Sequence, residues 1–193
     1  MYERILVPTD GSPLSVAAAL HAFALARMTG SELIALQVIA PYQFPIYLEY
    51  APTNLLSEQE YVAQCKQSAA VQLDVLARRA AAAGLKYTGK VVFHGNTAQA
   101  IIDVADQEFC QLIAMGSHGR SGLSRMFLGS VASKILTLSH IPVLVHKATQ
   151  AELAEAETLM PASKAASGAT NTPASGTDTS KPGNEQPGNA GAA

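Results

Sequence analysis

The sequence predicts an α/β domain: a doubly wound, five-stranded parallel sheet with helices on both faces. Two observations carry this. Short apolar runs alternate along the chain with longer stretches whose apolar residues recur at helical spacing. The boundaries between them carry the cap and turn residues that such boundaries need.

Strands are expected over 4–8, 32–39, 87–94, 111–116 and 142–146. The run Cys110 to Met115 is apolar and short enough for a buried parallel strand. A first helix follows Ser12-Pro13, a cap residue and a proline suited to a first turn; it carries Val16, Leu20, Phe23 and Ala24 on one face and ends at Gly30. A second starts at Ser57 with Glu60 three residues on, a capping box, and lines up Val62, Cys65, Ala69, Leu73, Leu76 and Ala80 as far as Gly84. The third follows Asn96, with Ile101, Ile102 and Ala105 inward, and the fourth runs from Gly129, with Val131, Ala132, Ile135 and Leu136 inward. The connection over 40–56 holds Pro41, Pro45 and Pro52 with Tyr42, Phe44, Tyr47 and Tyr50, so it is no regular helix. It reads either as a loop burying its own rings over the sheet ends or as a lid or partner surface.

Composition divides the chain near Lys147. Residues 161–193 contain no Leu, Ile, Val, Met, Phe, Tyr or Trp and cannot bury enough apolar surface to offset their ordering entropy. The expected organisation is a domain over 1–147 and a low-complexity, disordered tail over 148–193, with a short helical extension allowed at 148–160. Residues 1–147 hold 11 Lys and Arg against 10 Asp and Glu, a balance that argues against a general nucleic-acid binder. There is no signal-peptide pattern and no run of 18 apolar residues, which predicts a cytoplasmic chain without membrane insertion. Cys65 and Cys110 have no second pair and read as core thiols. His21, His94, His140 and His146 show no metal-ligand spacing and read as structural or exposed, so no metal is expected on the protein alone.

The stretch that names a ligand is Gly116-Ser-His-Gly119, then nine residues, then Gly129-Ser130. It lies where the fourth strand ends and the fourth helix begins. Gly116 and Gly119 lack a Cβ, so their backbone can take left-handed angles and lie against a nucleotide. Gly129-Ser130 opens a helix, where free N–H groups, the positive dipole end and a hydroxyl suit a phosphate. Between Phe109 and Ala151 there is no Asp or Glu, while Arg120, Arg125, Lys134 and Lys147 are present. The first strand delivers Pro8-Thr9-Asp10-Gly11-Ser12 to the same sheet edge if the first and fourth strands are neighbours. Asp10 then either accepts from a sugar or base, or helps hold a divalent ion on phosphates, or serves only as a turn acceptor near the first helix.

With these residues the chain resembles the universal stress protein family, in the branch that binds ATP. The likeness covers about residues 2–147 and rests on Pro8-Thr9-Asp10, on Leu36-Gln37-Val38-Ile39, and on Met115 to Gly119 through Gly129-Ser130. It implies a Rossmann-like sheet ordered 3-2-1-4-5, adenine near Val38, and ribose near Asp10 and Gly116. It also implies phosphates held by Gly119, Arg120, Gly129, Ser130 and Val131, with Pro8, Thr9, Met115, Ser117 and His118 completing the nucleotide loops and Mg2+ carried by the nucleotide near Asp10. Gln37 stands where the family often has His. The resemblance further implies a homodimer joined through Val143, Leu144 and Val145, whose apolar strand would otherwise be a bare edge.

No Gly-x-x-x-x-Gly-Lys-Ser/Thr loop, Gly-x-Ser-x-Gly elbow or kinase signature occurs. The expected role is a regulatory, ATP-binding stress-response protein, not an enzyme, acting through nucleotide-dependent contact with an unknown protein partner. Two rivals stand beside it. One is an enzyme of the same fold that hydrolyses or transfers phosphate through Asp10 and a metal, or through His118; the other is a nucleotide-free interaction module using the aromatic connection.

Overall fold

The computed structural model of the chain describes residues 2–43, 56–119 and 128–160. Five strands, β1 (Arg4–Pro8), β2 (Glu32–Ile39), β3 (Tyr87–Phe93), β4 (Leu112–Gly116) and β5 (Val143–His146), form one parallel sheet in the order β3-β2-β1-β4-β5. Five helices accompany them: α1 (Pro13–Thr29), α2 (Glu58–Ala82), α3 (Thr97–Gln107), α4 (Ser130–Leu138) and α5 (Gln150–Leu159).

Strand alternation sorts the core into two layers. Ile5, Val7, Leu33, Ala35, Leu112 and Ala114 pack on the face covered by α1, α2 and α5. Their neighbours Leu6, Ile34, Leu36, Ile113 and Met115 pack on the face covered by α3 and α4. Both faces of the sheet are therefore dry, which is why the strands read as apolar on consecutive residues.

The caps form as the sequence predicts. Ser12 caps α1 through Ser15 N–H, Pro13 opens it, and Gly30 closes it in the left-handed region at φ 71°. Ser57 and Glu60 complete the capping box of α2: Ser57 N–H donates to Glu60 Oε2 at 2.8 Å and Glu60 N–H donates to Ser57 Oγ at 3.2 Å. The Ser57 hydroxyl, which donates to Glu60 Oε2 at 2.7 Å, and then the Ser57 N–H hold the Glu60 carboxyl below its ordinary pKa. Asn96 caps α3 through Gln99 N–H at 3.2 Å.

Several details depart from the sequence reading or add to it: Cys65, read as a core thiol, is only half-buried, and Ala24, placed on the inward face of α1, is exposed. Leu136 is 47 % exposed, because nine-residue α4 touches the sheet through a narrow stripe, Ala132 and Ile135, and Leu136 lies one step further round. The helix over the first part of the tail packs: Ala156 of α5 is fully buried in the layer with α1. The packed unit thus reaches past the boundary drawn at residue 147. Phe109, between α3 and β4, takes φ 53° while 75 % exposed.

Cys110 is buried and its thiol is pushed up to about 11, chiefly by that burial. No helix among the described residues is long and apolar enough to cross a membrane. Of the aromatic connection, residues 44–55 lie outside the described residues. Beside it the Tyr42 and Tyr61 rings meet with centroids 5.5 Å apart, and their hydroxyls donate to Leu56 O at 2.8 Å and Ala40 O at 3.0 Å.

Candidate functional site

The crevice follows from the sheet order. After β1 the chain crosses toward β2, and after β4 it crosses toward β5, so the connections leave in opposite directions between β1 and β4. Pairing of these two strands runs only through Ile5 opposite Leu112 and Leu6 opposite Ile113, after which no further pair forms. Two loops therefore face each other at the C-terminal ends of β1 and β4.

On the β1 side a chain of hydroxyls sets the loop. Ser15 Oγ donates to Ser12 O at 2.9 Å, which uses its one proton, so Thr9 Oγ1 donates to Ser15 Oγ at 3.0 Å and in turn accepts from Gly11 N–H at 3.2 Å. Asp10 Oδ1 accepts from Ser12 N–H at 3.0 Å and Ser12 Oγ at 2.6 Å. The turn-acceptor role of Asp10 is thus real for one oxygen. The other, Oδ2, looks across the crevice: a Cβ built on Gly119 would stand 2.7 Å from it. Gly11 is favoured by φ 76°, and a Cβ there would also push aside the Gln72 amide at the end of its flexible side chain. Gln72 Oε1 accepts from Gln37 Nε2 at 3.0 Å, and Gln37 Oε1 is buried without a hydrogen-bond partner.

On the β4 side the glycines work by close approach. The left-handed angles expected of Gly116 and Gly119 do not occur; among the described glycines only Gly11, Gly30 and Gly84 have positive φ. A Cβ on Gly116 would instead meet Leu14 O at 3.1 Å and His118 O at 3.2 Å, and one on Gly129 would meet Ser117 O at 3.1 Å. Gly129 N–H donates to Ser117 O at 2.8 Å, which pins the start of α4 against the loop leaving β4. With glycine at its N-cap, α4 alone among the five helices has no side chain capping its first turn. The free first-turn N–H groups and the dipole make that end electropositive.

Several residues named from sequence serve the scaffold. Pro8 is buried, the Thr9 hydroxyl is spent on the internal chain, Met115 is 6 % exposed in the core, and Ser117 is buried. Asp10, Val38, His118, Gly119, Gly129 and Val131 are half-buried, and Ser130 is exposed. Val38 lies two residues past Leu36, whose carbonyl accepts from Thr9 N–H at 2.8 Å, so the end of β2 adjoins the crevice. His118 Nδ1 lies 3.1 Å from Ser117 Oγ, while its Nε2 is buried and has no hydrogen-bond partner. Arg120 and Arg125 lie outside the described residues.

Sequence reasoning named Ser12 as a helix cap and Gln37 as a departure from the family pattern, but missed Ser15 behind Asp10 and Gln72 beneath Gly11. Ser15 sits in the first turn of α1, three residues past the cap, which is a usable signal; Gln72 gives none, because only folding brings α2 to that spot. His21 and His146, read as structural or exposed, stack with ring centroids 4.4 Å apart and an 18° interplanar angle. Glu152 joins them.

The sequence profile described as the universal stress protein family matches residues 1–147. Universal stress protein MJ0531 of Methanocaldococcus jannaschii is 32 % identical over 152 residues, spanning 79 % of this chain and 86 % of its own. Universal stress protein MJ0577 of the same organism is 30 % identical over 156 residues, spanning 76 % and 96 %. The solved structure of MJ0577 superposes with a TM-score of 0.65 at 29 % identity, covering 77 % of this chain and 98 % of that one. A universal stress protein solved in complex with cAMP superposes at 0.55 with 26 % identity, covering 75 % and 97 %. The doubly wound sheet and these matches together place the chain in the universal stress protein family.

Proposed function

We propose that the crevice between β1 and β4 binds an adenine nucleotide, ATP foremost, and that the protein acts in regulation through its bound and free forms. The observation that carries this is the uncapped start of α4, pinned by the Gly129–Ser117 bond against the Gly116–Gly119 loop and set opposite Asp10. In this reading the phosphates lie on the N–H groups of Ser130 and Val131, the Ser130 hydroxyl, Gly119 and Arg120. The ribose lies by Asp10 and Gly116, and the adenine by Val38 at the end of β2. The buried Nε2 of His118 is a further polar atom with no protein partner to satisfy it. A family member crystallised with cAMP supports the ligand class.

Mg2+ fits as the nucleotide's companion. Asp10 Oδ2, facing Gly119, is the carboxylate oxygen nearest the proposed phosphates, and bound Mg2+ would neutralise phosphate charge there. The job proposed is binding, in the cytoplasm and as a homodimer joined along β5, with nucleotide occupancy setting the loops offered to a protein partner.

Calorimetry of the full chain with ATP and Mg2+, beside mass spectrometry of gently purified protein, tests this. One nucleotide per chain is expected. No heat and no co-purified nucleotide would favour the nucleotide-free interaction module; sustained multiple-turnover phosphate release, lost on changing Asp10 or His118, would favour the enzyme.

A further inference from the structure

A second constellation lies away from the glycine loop, where the end of β5, the third turn of α1 and the first turn of α5 meet. His146 ends β5, His21 projects from α1, and Glu152 sits three residues into the capping box of α5. Among the described residues these are the one group of three His, Cys, Asp or Glu donors within reach of a single ion, with all ligand atoms within 4.8 Å of one another. We propose that His21, His146 and Glu152 form a site for one divalent transition-metal ion of the zinc class.

Three features separate this group from a chance surface ion pair. First, His146 is nearly buried, with its side chain 11 % exposed, and its Nε2 is inaccessible to solvent without a well-formed hydrogen bond. Glu152 Oε1 lies 3.2 Å away, so the buried nitrogen has a carboxylate oxygen beside it, and an ion seated between the two atoms would take the place of that contact. Second, 3.2 Å is close to the spacing of about 3.3 Å that two ligands of one tetrahedral zinc keep, given metal–ligand bonds near 2.0–2.1 Å.

Third, the carboxylate is held in place. Glu152 Oε2 accepts from Thr149 N–H at 2.7 Å and Thr149 Oγ1 at 2.9 Å, which turns Oε1 toward the imidazoles. Such outer contacts are what orient a metal ligand. His21 is exposed, its ring stacks on His146, and its ligand nitrogen lies within 4.8 Å of the other two donor atoms, close enough for an adjustment of the ring to complete the set.

A cleft of about 570 Å3 lined by α1, α2 and α5 residues, His21 and Glu152 among them, leaves room for entry and for a water as fourth ligand. The nearby Arg79 is paired with Glu155, so its charge is matched. Two imidazoles are borderline donors beside one hard carboxylate, a mixed set that suits zinc or cobalt better than magnesium or calcium. The site is not cut off from the crevice, since the carbonyl of His146 accepts from Ser117 N–H at 3.0 Å.

The test uses the untagged full chain, stripped with chelator and free of nucleotide, titrated with Co2+ and then Zn2+. One Co2+ per chain, with the intense visible absorption of four-coordinate cobalt and displacement by Zn2+, is expected. His21→Ala, an exposed helical change that leaves the fold intact, should weaken binding at least roughly tenfold, and Glu152→Gln, which keeps a cap oxygen, should do the same. No cobalt binding, or affinity unchanged by His21→Ala, overturns the proposal. Neither outcome bears on ATP, whose binding by the His21→Ala chain is measured separately.

Discussion

Asp10 and Gly119 belong to different loops 109 residues apart, yet a Cβ on Gly119 would lie 2.7 Å from Asp10 Oδ2. That is closer than carbon and oxygen tolerate. Gly119→Val therefore displaces a carboxylate whose other oxygen is tied to Ser12 and fills the place proposed for the phosphates. The expected result is loss of detectable ATP binding in calorimetry with the far-UV circular dichroism retained, at a stability cost of about 1–3 kcal/mol. Unchanged affinity would remove the crevice from the site.

The exposed edge of β5 permits a test of assembly. Ile113 N–H donates to Pro142 O and Ser117 N–H to His146 O, both at 3.0 Å, so alternate residues 142, 144 and 146 face β4 and the backbone of Val143 and Val145 faces outward. Val145→Pro deletes an outward N–H without touching the β4 ladder. Sedimentation at micromolar concentration should show a dimer for the native chain and a monomer for the variant. A native chain that sediments as a monomer contradicts the proposed assembly.

Phe109 holds φ 53° with three-quarters of its surface in water, an arrangement that strains the backbone and buries little in return. Phe109→Gly relieves the strain, offset partly by greater freedom in the unfolded chain. Stability should rise by about 0.5–1 kcal/mol in urea unfolding. A loss instead would show that the ring makes contacts worth more than the strain.

Acid should loosen the start of α2. Because the folded pKa of Glu60 lies below its ordinary 4.5, the capping box contributes fully above the unfolded value and is lost as pH falls through the folded one. Relative to intrinsic rates, the amide protection of the first turn of α2 should fall as the pH drops through the folded pKa of Glu60, below 4.5, while the sheet stays protected. A Glu60 titration midpoint at or above 4.5, read by NMR, would contradict the cap.

The glycine loop shows where sequence reasoning stops. Its position after β4, the helix beginning at Gly129, and the Asp10 loop after β1 were legible, because each depends on residues a few positions apart; that the two loops face each other required β1 and β4 to be neighbours, an order the family resemblance implied. The reason for the glycines was not. Left-handed angles are a local property and were the natural expectation, whereas the actual constraint is the carbonyl of Leu14 against Gly116, of Ser117 against Gly129, and the carboxylate of Asp10 against Gly119.

By itself the sequence determined the strands, four helices with their caps, the alternating order that makes a doubly wound sheet, and the two loops that meet at its edge. Apolar period and capping chemistry act over one or two turns of chain, so they survive as patterns in the string. The tertiary structure alone decided that α5 packs beside α1, that Gln72 lies under Gly11, and that His21, His146 and Glu152 meet. Those contacts join residues up to 131 positions apart, and only the closing of the sheet and its helix layers brings them within a few ångströms.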